Sequence, residues 1–272
     1  MSMLEVKIIK DFIRTCSDGW EQGWHERNGG NLSYRLTKEE LSECKEFFCE
    51  PKELETLKIT APKCAGDYFI VTGSGKYMRN VPLAPQDNIC IVEINEKGDM
   101  YRIVWGLENG GKPTSELPTH IMNHNAKLEA GVDNRVIYHA HTTALISLTF
   151  VLPLEAKAFT KALWCSATEC PVVFPQGVGV VEWMVPGGAE IAVATSKLMS
   201  KFDAVVWAHH GLFCAGPDLD TTFGLMHTIE KAADIYVRAL SCGKGILQTI
   251  PDDGLRAIAK DFGVDLAEEF LD

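Results

Sequence analysis

Arg135-Val-Ile-Tyr-His-Ala-His141 runs without interruption into Thr142-Thr-Ala-Leu-Ile-Ser-Leu-Thr-Phe-Val-Leu152. The first stretch reads as a strand, because β-branched and aromatic residues crowd it. The second reads as a helix. A strand feeding straight into a helix predicts a sheet with helices packed on its faces.

The stretches on either side of it read the same way. Toward the N-terminus, Pro113-Thr-Ser115 precedes a helix through Ala130, with Thr114 or Ser115 as its N-cap. Ile89 to Ile94 and Tyr101 to Trp105 pair around Glu96-Lys-Gly-Asp99, and Tyr68 to Thr72 is a strand entering the turn Gly73-Ser-Gly75. Residues 37 to 66 form a polar excursion with weak helical character, and Asn31 to Leu36 alternates as a strand. Leu4, Ile8, Ile9, Phe12, Ile13 and Cys16 recur at the spacing of an amphipathic helix. Toward the C-terminus the reading is strands from Val172 to Val181 around Gly177, a helix from Glu190 to Phe202, and a buried strand from Ala204 to His209 that ends at Gly211. A long helix follows from Asp218 to Leu240. Hairpins and crossovers alternate irregularly, which implies an α/β sandwich rather than a regular βαβ array. No repeat or linker marks a domain boundary.

At 272 residues, with 46% hydrophobic and 23% charged, the chain excludes disorder, collagen and coiled coil. Its net charge of −11 repels nucleic acid and anionic lipid at long range, so neither is an expected partner and any phosphate must be captured locally. The longest mostly apolar run, Ala144 to Leu154, is far short of the roughly 20 residues that cross a bilayer. Charges interrupt the apolar N-terminal residues as far as Asp11, so a secretory signal is not expected and a cytoplasmic location is. Nine cysteines without a CxxC pair argue against a disulfide framework and against a four-cysteine zinc site, and are expected to be buried, reduced thiols.

His139 and His141 stand at i and i+2 at the end of the predicted strand, where both imidazoles point to one face and can share a metal. His209 or His210, at the end of another strand, can supply a third ligand, and spacing leaves the choice open. His120 and His124, one helical turn apart, compete for the same role; without an HExxH pattern they read better as solvated helix residues. Histidines 25 and 227 are isolated. Glu116 falls at a helix start, where the dipole favours its charged form; beside a divalent cation it can move protons. Asn28-Gly-Gly-Asn31 and Thr72-Gly-Ser-Gly75 are turns whose backbone N–H groups and neutral side chains can hold an anion. Neither fits a Walker A loop or a dinucleotide fingerprint, and no GxSxG elbow occurs.

Taken in order, Arg27-Asn-Gly-Gly-Asn31, Val71-Thr-Gly-Ser-Gly75, Thr114-Ser-Glu116, His139-Ala-His141 and His210-Gly211 resemble the class II, zinc-dependent aldolase/epimerase family. Trp105-Gly-Leu107, Pro113-Thr-Ser-Glu-Leu-Pro118, Ser166-Ala-Thr-Glu-Cys170, Trp183-Met-Val-Pro-Gly187 and Phe223-Gly-Leu225 narrow the likeness within it. The resemblance implies one domain over residues 1–272, a three-layer α/β/α sandwich on a mixed, largely antiparallel sheet, and a homotetramer. It implies Zn2+ on His139, His141 and His210, with His120 and His124 structural. Asn28, Gly30, Asn31, Gly73, Ser74, Thr114 and Ser115 fall where the family binds phosphate and substrate. Glu116 falls at the catalytic acid/base, and Glu169 at a carboxylate that reaches the site from a neighbouring subunit. The implied reaction is retro-aldol cleavage of a ketose 1-phosphate, which leaves an enediolate that a cation held by neutral imidazoles stabilises. The rivals are other aldolases or 4-epimerases of the family, a metal-free structural homologue and a zinc hydrolase.

Overall fold

Among residues 2–272, which the computed structural model describes, nine strands join in one sheet. They are β1 (Asn31–Arg35), β2 (Glu55–Thr56), β3 (Tyr68–Thr72), β4 (Ile89–Ile94), β5 (Met100–Gly106), β6 (Val136–Ala140), β7 (Gly179–Val181), β8 (Ala204–Trp207) and β9 (Gly211–Gly216). Their order is β2-β5-β4-β3-β1-β6-β9-β8-β7, antiparallel throughout except for β7 beside β8. The helices are α1 (Lys7–Glu21), α2 (Lys38–Lys45), α3 (Pro85–Asn88), α4 (Leu117–Glu129), α5 (Thr143–Leu148), α6 (Ala156–Trp164), α7 (Cys170–Val173), α8 (Ala189–Met199), α9 (Leu219–Ser241) and α10 (Asp252–Phe262).

Strand alternation sorts the side chains into two cores. Ile70 of β3 joins Leu32, Phe12 and Met226 in the larger core, while its neighbours Phe69 and Val71 join Leu117 and Ile121 of α4 in the smaller one. Helix α4 packs with α8, and α9 packs with α1, α5 and α6, which makes the three layers. The expected mixed, largely antiparallel α/β sandwich is the observed fold.

Several elements depart from the sequence reading. Gly211 opens β9 rather than ending a strand. All six β9 residues are buried and none has a hydrophilic side chain, so the strand has no polar alternation to announce it. A Cβ at Gly211 would lie 2.3 Å from the Ala140 carbonyl oxygen, so the glycine permits close approach to β6. The β-branched run from Val172 begins instead as the helical turn α7, entered through Pro171, and only Gly179–Val181 is strand. Helix α5 stops at Leu148, leaving Phe150 and Val151 exposed. Glu116, not Thr114 or Ser115, is the N-cap of α4, and no side chain caps it. Pro118 in the first turn lacks an N–H, which removes one of the donors a cap would serve. Helices α6 and α10 lie where the sequence offered no clear signal. All nine cysteines are free, but Cys49 and Cys242 are exposed.

Candidate active site

Strand β6 delivers the first two histidines. His139 is within the strand and His141 just past its end, where the His141 N–H donates to the Trp24 carbonyl at 3.0 Å. The third comes from the turn between β8 and β9. His209 adopts φ 59° there, and its Nδ1 meets Thr149 Oγ1 at 3.0 Å. That turn sends His210 to the other side, and one ligand atom from each of His139, His141 and His210 lies within 4.8 Å of the others.

Hydrogen bonds at the far side of two rings set their orientation. His139 Nδ1 donates to the Leu212 carbonyl at 3.1 Å, and His141 Nδ1 donates to Glu26 Oε1 at 2.6 Å. Each Nε2 lone pair is thereby left for the cluster. His139 Nε2 is buried with no hydrogen-bond partner, the arrangement a cation satisfies. Burial, reinforced by the facing His210 and His141, pushes His139 well below the ordinary histidine range, and burial pushes His210 down to about 4. Neutral imidazoles are the form that binds a metal.

Glu116 sits beside this cluster. Its Oε2 lies 3.8 Å from His139 Nε2 and accepts from Asn31 Nδ2 at 2.8 Å. Burial raises its carboxyl above the usual range, opposed by the Asn31 N–H and by His141. Burial therefore outweighs the helix-start effect expected from sequence, which favoured the charged form.

A cavity of about 190 Å³ brings the remaining candidates together. Asn28, Gly30, Asn31, Gly73, Ser74, Thr114, Ser115 and Glu116 line it with His141 and His210. Gly30 holds φ +70°, and a Cβ there would lie 2.4 Å from His25 Nδ1. The second turn differs from a simple nest of free N–H groups. Gly73 N–H donates to the Asn88 carbonyl and Ser74 N–H to the Lys112 carbonyl, each at 2.8 Å, so two of the turn's amides are already paired. Thr114 N–H donates to the Thr72 carbonyl at 2.9 Å, so this turn and the start of α4 are stitched together.

Glu169 stands apart, exposed at the start of α7 and outside the cavity lining of its own chain. His120 and His124 are buried rather than solvated and lie outside the triad. Sequence reasoning missed Glu26 and His25. His25 bridges Tyr138 OH at 2.7 Å and the Gly29 carbonyl at 3.0 Å, holding the first turn against β6. Nothing in the spacing of either residue connects it to partners that are more than 100 positions away.

Residues 10–237 match the family described as Class II Aldolase and Adducin N-terminal domain. The chain belongs to the class II aldolase and adducin family. This class II aldolase is 43% identical to the rhamnulose-1-phosphate aldolase of Listeria monocytogenes serovar 1/2a, over 99% of this chain and 98% of the relative. It is 48% identical to the Mannheimia succiniciproducens protein of the same name, over 94% of each. A sugar-phosphate aldolase structure from Thermotoga maritima aligns with the class II aldolase chain at a TM-score of 0.74. The alignment has 28% identity and covers 88% of this chain and 97% of the other.

Proposed function

We propose that this lyase is a zinc-dependent aldolase that reversibly cleaves L-rhamnulose 1-phosphate to dihydroxyacetone phosphate and L-lactaldehyde. The observation that carries the reading is the single cavity on which two of the triad histidines, Glu116 and both glycine turns converge. The names of its full-length relatives support the choice of sugar.

His139, His141 and His210 would hold Zn2+, as three neutral imidazoles leave positions open to substrate. When bound, the ion supplies positive charge to the oxygen that becomes anionic as the C–C bond breaks. Glu116 gives and takes the proton at the carbon of the three-carbon product, and Asn31 fixes its Oε2. Asn28, Gly30, Asn31, Gly73, Ser74, Thr114 and Ser115 bind the phosphate and set substrate register. Neutral donors suit this acidic chain, because they hold an anion without a basic patch. In a homotetramer, Glu169 completes the site of a neighbouring subunit. The catalytic domain spans residues 1–272 and works in the cytoplasm. No helix among the described residues is long and apolar enough to cross a membrane.

The test compares dihydroxyacetone phosphate release from L-rhamnulose 1-phosphate and L-fuculose 1-phosphate, before and after EDTA and after zinc is restored. Zinc-restored cleavage that prefers the rhamnulose ester is expected. Cleavage of neither sugar by zinc-loaded protein overturns the reading.

A further inference from the structure

Behind the cavity, a file of side chains runs from Glu116 into the core. Asn31 Nδ2 donates to Glu116 Oε2 at 2.8 Å, and Asn31 Oδ1 meets His120 Nε2. His120 Nδ1 lies 2.7 Å from Ser33 Oγ, and Ser33 Oγ lies 2.9 Å from His124 Nε2. Ser33, His120 and His124 are each 0% exposed.

Counting protons orients the whole file. A carboxylate only accepts, so Asn31 turns its amide N–H to Glu116 and its carbonyl to His120. That carbonyl also only accepts, so His120 carries its proton on Nε2. Burial keeps His120 neutral, with its basicity pushed down to about 3, so its Nδ1 is an acceptor. Ser33 has one proton and donates it to that nitrogen. His124 must then donate from Nε2 to Ser33 Oγ. With Glu116 ionised, every proton in the file points toward it, and reversing any link would set the Asn31 carbonyl against the carboxylate.

We infer that Ser33, His120 and His124 are positioning residues for proton transfer at Glu116, acting by locking the Asn31 amide with its N–H on the carboxylate. The inference rests on Glu116 being the acid/base of the proposed reaction. A mere latch between α4 and β1 would make the same contacts but would not set the rate of proton transfer, and that difference is measurable as kcat against KM.

In zinc-loaded protein labelled with ¹⁵N-histidine, the imidazole shifts of His120 and His124 are expected to report neutral rings protonated on Nε2. Kinetically, Ser33→Ala lowers kcat by about tenfold, the worth of one hydrogen bond, with KM and metal content unchanged. His120→Gln, whose amide N–H can replace the Nε2 donor, retains most of kcat, whereas His120→Phe loses it. His120 found protonated on Nδ1 or on both nitrogens overturns the inference, as does wild-type kcat in both Ser33→Ala and His120→Phe. If zinc-loaded wild type cleaves neither sugar, the functional reading falls separately, and the tautomers still decide the orientation of the file.

Discussion

Glu116 is pulled in two directions at once: burial raises its carboxyl, and the Asn31 N–H lowers it. A side chain balanced in this way is suited to both gaining and losing a proton. Glu116→Gln keeps the shape and an oxygen to accept from Asn31, but cannot exchange the proton. We expect kcat to fall by about 10² to 10⁴ while metal content stays at the wild-type level. Steady-state kinetics paired with metal analysis checks this, and a kcat within tenfold of wild type would remove Glu116 from the acid/base role. At this scale the sequence was informative wherever chemistry follows from near neighbours, as in the i, i+2 pair of His139 and His141. It was silent on His25 and Glu26, whose partners Tyr138 and His141 are brought to them only by the folded sheet.

The helix that follows His139 and His141 begins without a side-chain cap of its own. Glu230 of α9 supplies one from across the layer, accepting the Ala144 N–H at 2.8 Å and the Leu145 N–H at 2.9 Å. Glu230→Ala leaves both donors unpaired, and we expect a loss of about 1–2 kcal/mol. A urea midpoint that drops at unchanged slope checks this, and an unmoved midpoint would show the cap to be dispensable. Such a cap joins residues more than 80 positions apart and leaves no local signal. Amphipathic α1 and the alternating strand β1 were legible because their periodicity is local. Strand β9 was not, since Gly211-Leu-Phe-Cys-Ala-Gly216 has no hydrophilic side chain to alternate with its apolar ones. The valine-rich stretch after Pro171 shows the converse: β propensity yields there to a helical turn.

Across the whole molecule, the one sheet divides at β1. Strands β2 to β5, from residues 55 to 106, lie on one side, and β6 to β9, from residues 136 to 216, lie on the other. The candidate cavity straddles that division, with the Gly73 turn contributed by one side and His141 and His210 by the other. A ligand bound only by the assembled site stabilises the folded state by mass action. Stripping the metal is therefore expected to lower Tm by roughly 5–10 °C relative to protein in zinc at about a hundredfold over Kd. Thermal scans before and after EDTA and zinc restoration measure the shift, and coincident transitions would contradict a preformed metal centre. The α/β class was legible at this scale, but the pairing of β1 with both halves was not, because nothing local in Asn31 to Arg35 specifies strands far along the chain. The placement of the three histidines also orders events on the ribosome. The chain emerges N-terminal first, so β1 and the Gly73 turn are outside long before His210 is translated. A nascent chain thus has two of the three clustered histidines for some seventy residues of synthesis, so a metal that needs the whole cluster can load only after the β8–β9 turn has been made and folded.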